Sequence, residues 1–77
     1  MINLSQDAQT VLNNLRNHSE GTTLTDKNGI KWISVYLDNA RHGMEKNKFR
    51  AQLAVLAKAG LYRVVDGYAW GGVREED

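Results

Sequence analysis

The sequence predicts one α+β domain: three helices closed by a C-terminal β-hairpin over residues 61–73, with room for a short strand at Thr22-Thr23-Leu24-Thr25. Three observations carry this. A length of 77 residues bounds the chain to a single domain. Apolar residues recur at helical spacing near the N-terminus and again across residues 49–56. Asp66-Gly67 separates two β-rich runs, one of the strongest short hairpin signals.

The first helix rests on Leu4, Ala8, Val11, Leu12 and Leu15, which share one face, while Gln6, Gln9, Asn13, Asn14 and Arg16 fill the other. Ser5 is a good N-cap, and Asp7 sits near the positive end of the helix dipole. The helix is expected to stop near His18-Ser19, with Gly21 freeing the chain to turn. The stretch 22–25 is β-branched enough for a brief strand, and Asp26-Lys27-Asn28-Gly29 is rich in turn formers.

Residues 30–41 fit two periods. As a strand, Trp32, Ile33, Val35 and Tyr36 follow an Asn-Gly turn, but Lys31 then shares a face with Ile33, Val35 and Leu37. As a helix, Trp32, Ile33, Tyr36, Leu37 and Ala40 gather on one side. Helical spacing fits better, so a second helix is expected there. His42-Gly43-Met44 breaks the pattern. A third helix follows over residues 45–59, with Phe49, Leu53, Leu56 and Ala57 as its apolar stripe and Gly60 placed for a left-handed stop. A two-residue hairpin loop then pairs Val65 with Tyr68, Val64 with Ala69, and Arg63 with Trp70. Two hairpin faces result, one with Leu61, Arg63, Val65, Tyr68 and Trp70, the other with Tyr62, Val64, Ala69 and Val73. The domain is expected to span residues 1–73, with residues 74–77 as a frayed acidic tail.

Composition removes several function classes. The chain has no Cys, so it has neither a disulfide nor a thiolate metal site, which fits a reducing compartment. No apolar run approaches the roughly 20 residues of a membrane span, and Met1-Ile2-Asn3-Leu4 lacks the basic flank of a secretion signal; a cytoplasmic protein is expected. His18 and His42 lie far apart in sequence with no carboxylate at ligand spacing, so they read as ordinary helix-end histidines and no metal is expected. Gly67, Gly71 and Gly72 do not form a phosphate loop. Neither a catalytic triad nor a carboxylate pair can be assembled, so no enzyme and no cofactor are expected.

Charge is segregated. Residues 41–63 hold six basic residues (Arg41, Lys46, Lys48, Arg50, Lys58 and Arg63) against Glu45, a local charge of +5, while the rest of the chain carries −4. Lys46, Asn47, Lys48 and Arg50 fall in the first turns of the third helix, off its apolar stripe. Lys and Arg neutralise phosphates, Arg reads guanine, and Asn reads adenine.

The order helix, short strand, helix, turn, helix, hairpin resembles the winged helix-turn-helix superfamily. Within residues 49–70, Leu53-Ala54-Val55-Leu56-Ala57-Lys58-Ala59-Gly60-Leu61 looks like the leucine-rich end of a recognition helix running into a wing. Small domains of this style occur in prokaryotes and their phages and plasmids. The resemblance implies double-stranded DNA as partner, the third helix in the major groove, and regulation of transcription or replication. Lys46, Asn47, Lys48 and Arg50 would then read bases, and Arg41, Lys58 and Arg63 would hold flanking phosphates. A lone module of this size calls for a homodimer or tandem sites. Two features depart from the family pattern. Gln52 stands where an apolar residue is expected, and the wing tip carries Asp66, which phosphate repels. The alternative is a protein-interaction module, such as a phage factor acting on a host protein, that uses Tyr68 and Trp70 on an exposed hairpin face.

Overall fold

The structure is a computed structural model and describes residues 4–66 and 69–75. Helix α1 (Gln6–Asn17) begins where expected: Ser5 is extended, and its hydroxyl accepts the Ala8 N–H at 3.2 Å. Ala8, Val11, Leu12 and Leu15 are all fully buried. The helix ends at His18, whose N–H donates to the Asn14 carbonyl.

Strands β1 (Ser19–Thr25) and β2 (Lys31–Tyr36) form an antiparallel hairpin. Asp26 organises its turn. One carboxylate oxygen accepts the N–H groups of Asn28 at 2.8 Å and Ile30 at 3.0 Å, and the other accepts the Trp32 indole N–H at 3.0 Å. The indole, the Ile30 and Asn28 amides, and nearby Arg63 hold the Asp26 carboxyl below the usual carboxylate range. Gly29 takes φ +82, a backbone conformation that favours glycine.

The long second helix expected over residues 30–41 is replaced by β2 and a single helical turn, α2 (Leu37–Ala40). The strand wins because it has partners on both sides, β1 and β4, which no local periodicity reveals. Ile33, Val35 and Leu37 then face the helices together, and the misfit residue, Lys31, stands exposed at the strand's outer end.

Helix α3 (Lys46–Lys58) follows, capped by Glu45, whose carboxylate accepts the Lys48 N–H at 3.0 Å. The Asn47 and Lys48 backbone N–H groups and the Arg41 charge hold the Glu45 carboxyl below its ordinary range. The C-terminus closes as a Schellman turn: Leu61 N–H donates to the Leu56 carbonyl and Gly60 N–H to Ala57, with Gly60 at φ +81. Phe49, Leu53 and Leu56 are buried as expected, but Ala57 is exposed.

Strands β3 (Tyr62–Asp66) and β4 (Trp70–Arg74) complete a four-stranded antiparallel sheet in the order β1-β2-β4-β3. The hairpin register differs from expectation. Arg63 opposes Gly72 rather than Trp70, Val64 opposes Gly71 rather than Ala69, and an irregularity between Val64 and Asp66 places Asp66 opposite Trp70. Through Val64 the slip is two residues, which keeps side chains on their faces, so the expected division between Tyr62/Val64/Val73 and Arg63/Val65/Trp70 survives. Leu61 joins the core instead of the Arg63 face. The register puts Gly71 under the Tyr62 ring, where a Cβ would lie 2.4 Å from a ring carbon. Gly67 and Tyr68, with the predicted tip of the turn, lie outside the described residues, as do tail residues Glu76 and Asp77.

Helices α1 and α3 pack on one face of the sheet. The core joins their apolar stripes to Val35, Leu37, Leu61, Tyr62 and Val73. Burial pushes the Tyr62 hydroxyl pKa up.

Candidate nucleic-acid interface

The first turns of α3 are exposed, as a recognition helix requires, but the cations there do not form one cluster. At about 100° per residue, Lys46, Arg50, Ala54 and Ala57 lie along one flank and Lys48 along the other. Lys46 and Arg50 face Arg41, beyond the end of α2, across a groove that also contains Asp38. Asn47 is exposed beside them. Lys48 turns toward α1, where its ammonium lies 3.5 Å from the Asp7 carboxylate. Both side chains of that pair are about half exposed, so it is a weak tether rather than a lock.

The remaining expected contacts are dispersed. Lys58 is exposed at the far end of α3, roughly 18 Å along the axis from Lys46. Arg63 lies on the sheet face turned away from the helices, with its guanidinium carbon 4.9 Å from the Trp32 ring centroid. The cation–π partner suggested by the sequence, Trp70, instead packs edge-on against Tyr36 at 5.4 Å. Trp70 is half-buried and stands outside the core cluster. Tyr68, the other expected interface residue, lies outside the described residues. Arg41, Lys46 and Arg50 are therefore the predicted readers and phosphate contacts that the fold gathers along one groove, with Asn47 exposed next to Lys46 in the chain. Acidic Asp38 interrupts them.

One juxtaposition has no counterpart in the sequence pattern. His18, at the end of α1, and His42, in the α2–α3 turn, bring their Nε2 atoms to 2.6 Å. His42 has a left-handed backbone, at φ 51. Neither residue carries a local signal for the other, because the contact arises only when α1 packs against α2. Among the described residues no group of three or more candidate ligands surrounds the pair.

No helix among the described residues is long and apolar enough to cross a membrane. Comparison with family models, curated proteins and solved structures finds no match.

Proposed function

We propose that this domain binds duplex DNA, with the N-terminal half of α3 in the major groove and Arg41, Lys46 and Arg50 on phosphates or guanine edges. The convergence of these three cations beside Asn47, on an exposed helix start, is the observation that carries the reading. Topology lends support. Strands β2, β4 and β3 are adjacent in that order, with α2 and α3 inserted between β2 and β3, as in a winged helix-turn-helix; β1 adds an outer strand. In this arrangement the β3–β4 hairpin is the wing. Useful specificity at this size calls for a homodimer or tandem sites, as for a regulator of transcription or replication in a prokaryote or its mobile elements.

Salt-dependent mobility shift with short duplexes tests the reading. Lys46→Ala/Arg50→Ala weakens binding and lowers the salt slope by about two counterions. Lys48→Ala, on the opposite flank, has a much smaller effect. Absence of any shift at low salt rules the reading out.

A second reading, a protein-interaction module, is favoured by the half-exposed Tyr36–Trp70 pair on the outer sheet face, a face that also carries exposed Val65. It requires Trp70→Ala to keep its helix content by circular dichroism. If that variant unfolds, Trp70 serves the fold and the reading lapses.

A further inference from the structure

We propose that the groove between α3 and β3 docks an acidic amphipathic helix from a partner protein. The groove measures about 360 Å³, within the roughly 300–1,000 Å³ range of binding sites. Phe49, Leu53 and Tyr62 form its apolar floor, and Val64 forms its lip. Val64 lies on the same sheet face as Tyr62, yet it is 65% exposed where Tyr62 is 6% exposed. The helix layer thus stops one strand position short and leaves apolar surface beyond it.

Three features choose the occupant. Along the groove α3 presents Ala54 and Ala57, whose small side chains let a second backbone come close. Arg41, Lys46 and Arg50 line the rim together with Asp38, a net charge of +2 among the described lining residues. Arg41 also faces Glu45, which leaves the positive sign in place. Finally, β3 is an edge strand with an irregular register between Val64 and Asp66, a feature that discourages strand addition. Helix-in-groove docking meets all three conditions: apolar anchors spaced i, i+3, i+4 and i+7 fill the floor, and flanking Asp or Glu meets the cations. Duplex DNA satisfies the cations but offers nothing to Phe49 and Val64. The proposal therefore goes beyond DNA binding, although it shares three cations with it.

The test titrates the ¹⁵N-labelled full chain with a synthetic acidic peptide carrying Leu and Phe at the stated spacing, and with its Lys-substituted counterpart. The acidic peptide is expected to bind saturably, at least about tenfold tighter than the basic one, with shifts confined to α3, Tyr62 and Val64. Ala54→Glu and Val64→Asp alter exposed positions and are each expected to weaken binding by about tenfold or more while circular dichroism stays unchanged. Equal affinity for both peptides, shifts centred on Trp70, no saturable binding, or wild-type affinity in both variants would each overturn the proposal. Added duplex is expected to compete with the peptide; simultaneous binding would overturn the sharing of cations. A domain that ignores duplex but binds the acidic peptide refutes only the DNA reading.

Discussion

Tyr62 and Arg63 are adjacent in β3 and point to opposite faces of the sheet. Tyr62 enters a layer shared with α1 and α3, where its ring crosses the bare Cα of Gly71. Arg63 enters a face with no helix over it, where side chains cover one another: its guanidinium lies over Trp32, and Tyr36 meets Trp70 edge-on. The inner face is stabilised by burial of contiguous apolar surface. The outer face is held by a few specific pairs around Asp26, Trp32 and Arg63. In a chain of 77 residues the inner face must supply most of the stability, because pairs on a wet surface contribute little each.

Truncating the inner face should have the largest effect. Leu56→Ala leaves a cavity beneath α3 and is expected to cost about 2–5 kcal/mol in chemical denaturation. Gly71→Ala comes next. The new methyl group meets a buried ring, an overpacking cost of about 1–3 kcal/mol. Combining it with Tyr62→Leu should cost less than the sum of the two single changes, and strict additivity would show that the ring and Gly71 are not coupled. The outer face should give smaller numbers. Trp70→Ala is expected to lose about 1 kcal/mol with the Tyr36 edge contact, and Arg63→Ala about 0.5–1 kcal/mol with the Trp32 contact. A loss at Trp70 as large as that at Leu56 would erase the distinction between the faces.

The two faces should also respond to opposite ends of the pH scale. Asp26 titrates below its ordinary value, so its contribution is present above about pH 4 and lost as pH falls through the depressed value. Trp32 fluorescence should report that loss, and Asp26→Asn should remove much of it. Tyr62 titrates above its ordinary value, so its contribution is full below about pH 10 and lost as pH rises through the raised value. Ultraviolet titration should show a late tyrosine ionisation, and Tyr62→Phe should abolish that late step.

Contiguous residues carried a good part of this fold. The α1 stripe, the Ser5 cap, the α3 stripe through Leu56, the Gly60 stop and the two faces of the β3–β4 hairpin were all legible, because helix and strand periods are written along the chain. The basic character of the α3 start was legible too, but the separation of its cations was not. Lys48 and Arg50 are two residues apart, which on a helix sends them to opposite flanks. Only the packing of α1 decides that Lys48 meets Asp7, while Arg50 lines the groove with Arg41.

The sequence by itself determined the turn at Asp26–Gly29 and the stop at Gly60, which side chains of α1 and α3 travel together, and that positive charge collects between residues 41 and 63. Tertiary structure decided that residues 31–36 are a strand, because strand identity depends on hydrogen-bonding partners that lie far away in sequence. It decided the hairpin register, because Gly71 accepts the Tyr62 ring only when the core is assembled. It also created the His18–His42 contact and the apolar groove beside α3, since both arise between elements and have no periodicity of their own to read.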